Sequence, residues 1–127
     1  MKESITLYGI NNCDTVKKAL KWLNTNDIAY EFYDFKKQPL TKELLSNFVA
    51  LNNWATLVNK RSTTYRNLSD EVKNNLTDEI AFEQVMMQPT LLKRPLLLIQ
   101  SNDMTSKQLH LGFKADIYQK YFSALTS

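Results

Sequence analysis

The first 35 residues contain three apolar patterns in turn: a short run, a helical spacing and an aromatic-rich run. Residues 5–8 form a short β-prone run that Gly9 ends, which predicts a strand. After Asp14 the apolar residues recur every three or four positions, the spacing of one helix face, at Val16, Ala19, Leu20 and Leu23. The aromatic-rich residues 30–35 then predict a second strand. A strand, a helix and a strand in this order indicate a βαβ unit.

The middle of the chain has helical spacing, with hydroxyl-bearing residues where helices would begin. Thr41 is a candidate N-cap for a helix whose apolar positions are Leu44, Leu45, Phe48 and Val49. Ser69 is a candidate N-cap for another helix, because acidic residues follow it in the first turn. A third helix is predicted over residues 78–87, and the segment "VNKRSTTYRNL" between the first two is predicted to be a polar loop.

The last part of the chain returns to short strands. The segment "RPLLLI" predicts a buried strand that begins at a proline. The segment "SNDM" predicts a turn, and "KQLHL" predicts an antiparallel partner strand. After Gly112, a final amphipathic helix is predicted from the spacing of Ile117, Tyr121 and Leu125.

The predicted elements come in the order β-α-β, then a helical segment, then β-β-α. This order predicts an α/β protein with a thioredoxin-like fold, in which a mixed four-stranded sheet is interrupted by an inserted helical lobe. We expect a single domain over residues 1–127, with the helical insertion at about residues 40–90.

Composition and charge exclude several classes of protein. The chain is 43% hydrophobic and 23% charged, as in an ordinary globular domain. Its net charge of +3 is spread along the sequence, so direct binding to nucleic acid is not expected. No segment has the roughly 18 apolar residues of a membrane span, and no basic-then-apolar leader opens the sequence. We therefore expect a cytoplasmic protein with no membrane partner.

Cys13 is the chain's single cysteine and lies where the first predicted helix begins. One cysteine excludes an internal disulfide and fits a reducing compartment. Free N–H groups and the positive end of the helix dipole stabilise an anion at such a position, which favours a nucleophilic thiolate. The alternative is a small buried hydrophobe. The polar residues around the thiol favour an exposed junction, although the carboxylate of Asp14 opposes a thiolate unless it points away.

A thioredoxin-type motif would place a second cysteine three residues after the first, where this chain has Val16. The site is therefore monothiol, and an external thiol such as glutathione or a glutaredoxin must resolve any disulfide that Cys13 forms.

A metal site is not expected, because one cysteine and one histidine cannot supply a ligand cluster. We interpret His110 as a solvent-facing strand residue. The two methionines of "FEQVMMQP" are interpreted as gap-filling residues and not as part of a cofactor site.

Four separated segments, in the same order, resemble the ArsC-like family: "ITLYGINNCDTVKKALKWL", "EFYDFKKQPL", "LVNKRSTTYRNL" and "LLKRPLLLI". That family contains glutaredoxin-dependent arsenate reductases, the Spx transcriptional regulators and YffB-type proteins regarded as glutathione-dependent thiol reductases. The resemblance extends over about residues 4–125 and is strongest to the YffB type.

The resemblance implies roles for individual residues. Cys13 matches the family's nucleophile, Arg94 the arginine of its Arg-Pro motif, and Pro95 the cis proline that shapes the substrate groove beside the thiol. Arg61 matches a further basic residue near the thiol in the YffB and Spx branches, which arsenate reductases carry where this chain has Asn59. Only one basic residue of that loop need face the thiol. The predicted substrate-binding residues are Asn12, Asp14, Thr15 and Pro95.

The resemblance also implies a function, with two alternatives. We expect a thiol oxidoreductase without a bound cofactor, with glutathione as co-substrate and an oxidised thiol or mixed disulfide as substrate. The first alternative is an Spx-like regulator that binds RNA polymerase. Val16 counts partly against it, because Spx proteins commonly carry a second cysteine there. The second alternative is a glutaredoxin-coupled arsenate reductase. It is weakened because those enzymes carry a third arginine where this chain has Gly112 and Phe113, and one lost charge-assisted contact costs about 1.5–3 kcal/mol.

Overall fold

The computed structural model describes residues 4–11, 13–101 and 107–126, with the side chains of the last helix described as far as Ser123. The chain divides into two compact units. Met1–Gln38 and Arg94–Ser127 form one, which we call the sheet unit, and Pro39–Lys93 form the other, which we call the helical unit.

The sheet unit contains all four strands of the described chain and a helix near each end. Its elements are β1 (Ser4–Gly9), α1 (Asp14–Thr25), β2 (Glu31–Asp34), β3 (Leu96–Gln100), β4 (Lys107–Leu111) and α7 (Ala115–Thr126). The strand order is β2-β1-β3-β4. β1 pairs with β2 in parallel, whereas β3 is antiparallel to both of its neighbours. The mixed sheet and the β-α-β, β-β-α order confirm the predicted α/β thioredoxin-like fold.

One face of this sheet packs against α1 and α7. Alternate residues of the two central strands meet one stripe of each helix, forming a core of Ile5, Leu7, Ala19, Leu23, Leu97, Ile99, Tyr118 and Phe122. Leu7, Leu23 and Leu97 have no exposed surface. Burying a leucine side chain of this kind stabilises a fold by about 1.5–3 kcal/mol, so this core holds the two helices on the sheet.

Gly9, the last residue of β1, lets α1 approach the sheet closely. A Cβ atom at this position would come within 2.8 Å of Val16 Cγ2 and 3.3 Å of Val16 Cγ1. Because any side chain here would collide with the first turn of α1, only glycine permits the approach. The contact fixes the start of α1 next to the end of β1.

The helical unit is built from short helices. They are α2 (Lys42–Leu51), α3 (Trp54–Leu57), α4 (Thr63–Arg66), α5 (Asp70–Asn74), α6 (Asp78–Met87) and a 3₁₀ turn (Pro89–Leu91). Two predicted caps are confirmed: Thr41 Oγ1 accepts the N–H of Leu44 at 3.1 Å, and Ser69 Oγ accepts the N–H of Val72 at 3.2 Å. The helix predicted over residues 78–87 has the bounds of α6.

The prediction of a continuous polar loop in this region is wrong, because α4 lies within it, and α3 was not predicted at all. A four-residue helix makes about one turn, which is too short to show a repeating apolar spacing. Each of these helices nevertheless begins with a side-chain cap. Asn53 Oδ1 accepts the N–H of Thr56 at 2.9 Å, and Ser62 Oγ accepts the N–H of Tyr65 at 3.1 Å.

The predicted apolar stripe of α7 is shifted by one residue. Tyr118 and Phe122 are buried, whereas Ile117 and Tyr121 are only half-buried. Tyr118 is accommodated because its hydroxyl donates to the carbonyl of Gly112 at 3.2 Å while its ring lies edge-on to a neighbouring tryptophan. The side chain of Leu125 and residues 102–104 of the predicted turn lie outside the described residues.

The interpretation of His110 as solvent-facing is wrong. His110 pairs with Leu97 across the sheet, and cross-strand partners share a face, so it lies on the side covered by α7. Its ring is half-buried and stacks on Tyr121, with ring centroids 3.6 Å apart.

Within the described ranges, no helix combines the length and the apolarity that crossing a membrane requires.

Candidate functional site

Cys13 occupies the N-cap position of α1, with an extended backbone conformation (φ −96°, ψ 125°). Its carbonyl accepts the N–H of Lys17 at 2.9 Å, the first bond of the helix, and its own N–H donates to the carbonyl of Ile10 at 3.3 Å. Cys13 is half-buried, and its thiol does not cap the N–H groups of the first turn. Those N–H groups and the positive end of the dipole therefore remain available to an anion at this position.

The register of the sheet brings distant parts of the chain to the edge where Cys13 lies. Tyr8 pairs with Leu96, and Leu96 pairs with Leu111. Because β3 runs opposite to β1 and β4, the start of β3 meets the ends of both neighbours at one edge of the sheet. The Arg94–Pro95 segment, the loop that leads to Cys13, and the turn after β4 consequently share this edge.

The peptide bond between Arg94 and Pro95 is cis, as the resemblance implied. Pro95 is buried and Arg94 is half-buried. The carbonyl of Pro95 accepts the N–H of Gly112 at 2.9 Å, which ties the start of β3 to the turn after β4. This edge thus carries Cys13 at the N-terminus of α1 and Arg94 two residues before β3.

The other predicted site residues are distributed over both units. Asp14 is exposed and Thr15 is half-buried, both in the first turn of α1, and Asn12 lies outside the described residues. Arg61 belongs to the helical unit, where it is exposed and donates its N–H to Asn59 Oδ1 at 3.1 Å. Asn59 also accepts the hydroxyl of Ser62 through its carbonyl at 2.7 Å, so local bonds shape the segment that carries Arg61.

Val16 stands where a dithiol motif would carry its second cysteine, and it serves packing instead. It has no exposed surface and faces Gly9 of β1. A side chain three residues after the N-cap of α1 therefore points into the sheet. With one cysteine in the chain, any disulfide that Cys13 forms must be with another molecule.

Asp34 is a residue of this edge that the sequence reading did not single out. It pairs with Gly9 at the end of β2 and is only 5% exposed. Its Oδ1 accepts the N–H of Lys36 at 2.9 Å, and its carbonyl accepts the N–H groups of Lys37 and Gln38. Asp34 therefore folds the turn after β2 beside the end of β1. An aspartate at the end of a strand, followed by a turn, is the signal that could have found it.

Three aromatic rings lie near the ends of β1 and β2, on the face of the sheet opposite to Gly9 and Asp34. The ring centroid of Tyr8 lies 5.2 Å from that of Tyr33 and 6.2 Å from that of Phe35. Burial, with smaller contributions from Tyr33 and Glu31, raises the pKa of Tyr8 above its usual value. The phenol of Tyr8 is therefore protonated at neutral pH and can donate a hydrogen bond, but it cannot serve as a base.

Gly112 and Phe113, which the family resemblance aligns with the third arginine of arsenate reductases, form a backbone turn and a core contact. Gly112 has φ +78°, a conformation that side chains other than glycine's rarely adopt. The ring of Phe113 lies edge-on to that of Tyr118, with centroids 4.7 Å apart, and so packs against the core. Neither residue provides a cation to an oxyanion.

In the part of the chain that the structure describes, no three histidine, cysteine, aspartate or glutamate side chains are grouped so that they could hold a metal ion.

Two solved structures have this fold and substantial sequence identity. The YffB protein is 36% identical, with a TM-score of 0.80, over 92% of this chain and 97% of that one. An arsenate reductase (ArsC) related protein from Brucella melitensis is 39% identical, with a TM-score of 0.73, over 94% of each chain.

Curated relatives extend over the same length. An uncharacterized protein of Haemophilus influenzae is 42% identical over 119 residues, which are 94% of this chain and 99% of that protein. The global transcriptional regulator Spx of Lactiplantibacillus plantarum is 26% identical over 92% of this chain and 85% of its own length. The family model for ArsC matches residues 8–121. The chain therefore belongs to the ArsC family.

Proposed function

We propose that this protein is a thiol oxidoreductase that uses Cys13 to reduce a glutathione mixed disulfide. The observation that carries the proposal is a single thiol at the N-terminus of α1, at the sheet edge that also holds Arg94 and the cis Pro95. Membership of the ArsC family, with an arsenate reductase-related protein at 39% identity, supports chemistry at sulfur.

The proposed reaction has two exchange steps. In the first, the Cys13 thiolate attacks the glutathione sulfur of a mixed disulfide, which forms a Cys13–glutathione disulfide and releases the substrate as a thiolate. In the second, the thiolate of a second glutathione attacks the glutathione sulfur of that adduct. Oxidised glutathione leaves, and Cys13 returns as a thiolate. Across the cycle the mixed disulfide and one glutathione thiol are converted to the substrate thiol and oxidised glutathione.

Arg94 and Arg61 are the proposed electrostatic partners in this cycle. A guanidinium stabilises a thiolate and can also bind a carboxylate of the glutathionyl group through two parallel hydrogen bonds. Arg94 immediately precedes the cis proline at the edge that holds Cys13. Arg61 is proposed on the family resemblance, and Asp14, Thr15 and Pro95 are proposed to contact the substrate.

The test is intact-mass analysis after incubation with oxidised glutathione, followed by a turnover assay. The parent protein should gain the mass of one glutathionyl group, lose it with reduced glutathione, and reduce a glutathionylated substrate catalytically. Cys13→Ser should have the same circular dichroism and no adduct. A parent protein that forms no adduct, or an adduct that glutathione and glutaredoxin both leave in place, would contradict the proposal.

A second candidate is regulation of transcription, favoured by the Spx relative that matches over 92% of this chain. In that case the chain would bind RNA polymerase, and binding should survive both Cys13→Ser and Arg94→Ala. Pulldown of purified polymerase by these variants, combined with no thiol turnover in the parent protein, would favour the regulator over the enzyme.

Arsenate reduction is a weaker hypothesis for this site than reduction of a glutathione mixed disulfide. Gly112 and Phe113 supply a turn and a core ring where an arsenate reductase has a third arginine. Loss of one charge-assisted contact lowers oxyanion affinity roughly 10- to 150-fold. We expect little arsenate turnover even when glutathione and glutaredoxin are supplied.

A further inference from the structure

We propose that a groove on the helical unit binds a short basic amphipathic helix of a partner protein. The groove lies between α2 and α6 and has a volume of about 720 Å³. All of its lining residues belong to Pro39–Lys93, so it is separate from the Cys13 edge of the sheet unit. The proposal does not rest on the thiol chemistry.

The groove exists because α6 is apolar on two sides. Ala81 and Val85 are buried on one side. Phe82 and Met86, about 100° further around the helix, are half-buried and line the groove. Met87 is 72% exposed and is the one large hydrophobic side chain so exposed among the described residues. A surface helix normally presents a polar face to water, so a second apolar face indicates a surface that a partner covers.

The lining residues repeat along both helices. On α6 they form two rows with steps of four residues, Asp78, Phe82 and Met86, and Glu79, Glu83 and Met87. On α2 they follow steps of four and three residues, at Lys42, Ser46 and Val49. At 1.5 Å per residue, each α6 row extends for about 12 Å. Because α2 and α6 form the two walls of the groove, a third helix could pack along it, with its side-chain ridges between theirs.

The apolar lining has the composition of a helix-binding surface. Trp54 is only 8% exposed, and its ring lies edge-on to that of Phe82, with centroids 6.3 Å apart. The two methionines can adapt to side chains of different shapes, as they do on surfaces that bind amphipathic helices. The groove therefore suits leucine or phenylalanine side chains spaced three and four residues apart.

The charges of the groove select a basic partner. Three carboxylates, of Asp78, Glu79 and Glu83, and one ammonium, of Lys42, give the lining a formal charge of −2. The chain as a whole carries +3, so the local charge is opposite to the net charge. Lysines or arginines beside the apolar residues of a partner helix would face these carboxylates.

A second copy of the chain does not supply such a helix from α1. That helix is basic and amphipathic, but its apolar residues Val16, Ala19 and Leu23 are fully buried within the sheet unit. Docking α1 into the groove of another copy would require exposing that core. The occupant is therefore assigned to a different protein.

The test is an NMR titration of the ¹⁵N-labelled full chain with three amidated synthetic peptides of equal length. The first carries leucines at i, i+3, i+4 and i+7 with flanking lysines. The second has the same residues in an order that destroys the apolar face, and the third has glutamates in place of the lysines. We expect the first peptide to shift the amide signals of α2, α3 and α6 and to bind at least about tenfold more tightly than the other two.

Variants locate the binding to the groove. The double variant Met86→Gln, Met87→Gln removes apolar surface, and Glu83→Lys reverses one exposed charge in the middle of α6. Each should weaken the basic peptide by about fivefold or more. Glu71→Lys reverses an exposed charge on α5, which does not line the groove, and should bind as the parent does. Cys13→Ser should also bind unchanged, whatever the outcome for thiol chemistry.

Several results would overturn the proposal. They are equal binding of the ordered and scrambled peptides, equal binding of the basic and acidic peptides, no binding of any peptide, and amide shifts confined to the sheet unit. Sedimentation showing a dimer that the double methionine variant abolishes would also overturn it, because the groove would then be an interface between copies of this chain.

Discussion

The setting of Cys13 is determined by bonds within a few residues of it. The N–H of Cys13 bonds to the carbonyl of Ile10, and its carbonyl bonds to the N–H of Lys17, so the thiol is held between a turn and a helix. Arg94 reaches the same edge from a distant part of the chain through the antiparallel pairing of β3 with β1. At the scale of single residues, the proposed site thus combines one local and one long-range contribution.

The first prediction concerns the guanidinium of Arg94. Arg94→Ala should slow the reaction of Cys13 with oxidised glutathione by roughly 10- to 150-fold, because it removes the proposed charge-assisted contact, which would contribute about 1.5–3 kcal/mol. Arg94→Lys should recover part of the rate, since an ammonium keeps the charge without the two-pronged geometry. The measurement is the rate of adduct formation by mass spectrometry. Lys93→Ala, a change of charge at the adjacent residue, is the matched control and should leave the rate unchanged.

The second prediction concerns His110 and the pH dependence of stability. Burial holds the pKa of His110 below its usual value. As pH falls below the ordinary histidine value of about 6.5, the unfolded chain therefore takes up a proton before the folded protein does. The free energy of unfolding should fall over that range and should be unaffected by this group at higher pH.

Urea unfolding at about pH 7.5 and about pH 5 measures this effect. His110→Gln loses the ring stacked on Tyr121 and should be less stable at both pH values. It should also lose less stability than the parent protein between them. Equal losses for the two proteins would mean that His110 does not contribute to acid sensitivity.

At the scale of elements, the contact between β1 and α1 positions the start of the helix. Gly9 and Val16 meet so closely that a Cβ at position 9 would lie 2.8 Å from Val16 Cγ2. Because both elements belong to well-packed structure, neither can move away without disturbing the core. The same contact explains why a residue three positions after Cys13 is apolar.

The third prediction tests this contact. Gly9→Ala should lower the free energy of unfolding by about 1–3 kcal/mol, because the new methyl group overpacks the interface. Combined with Val16→Ala, it should cost less than the sum of the two single changes, since the second substitution makes room for the first. Chemical unfolding gives all three values. Ser4→Ala, at the exposed first residue of β1, is the control, and strict additivity of the pair would count against the contact.

At the scale of the whole molecule, the predicted catalytic residues belong to different units. Cys13 and Arg94 are in the sheet unit and Arg61 is in the helical unit. Arg61 is exposed and is followed within five residues by Arg66, which is also exposed. Comparing the two arginines tests the role that the family resemblance assigns to Arg61.

The fourth prediction makes that comparison. Arg61→Ala should slow adduct formation at Cys13 by about tenfold, as expected for loss of one charge-assisted interaction, and should leave the free energy of unfolding within about 0.5 kcal/mol of the parent value. Arg66→Ala removes the same charge from the end of α4 and should react at the parent rate. Equal slowing by both variants would indicate a general effect of positive charge. Slowing by Arg66→Ala alone would assign the role to Arg66.

Local sequence patterns were sufficient to predict the elements that have a repeating apolar spacing or a side-chain cap. The spacing from Val16 to Leu23 sufficed for α1, and Thr41 and Ser69 marked helix starts, because these signals act within one or two turns of the chain. The same local information placed Cys13 at a helix N-terminus. The four ordered motifs identified the family, and the Arg-Pro motif implied the cis bond.

The tertiary structure alone decided which side chains share a surface. The order β2-β1-β3-β4 brings Arg94, Asp34 and Gly112 to the edge that holds Cys13, and strand order follows from pairing between residues far apart in the chain. The register likewise turned His110 toward α7. Packing also chose Tyr118 over Ile117 for the core of α7, because several apolar residues compete on that helix and only the surface they meet decides between them. For the same reason, the sequence pattern of α6 did not predict the groove beside Met86, because α2 forms its other wall.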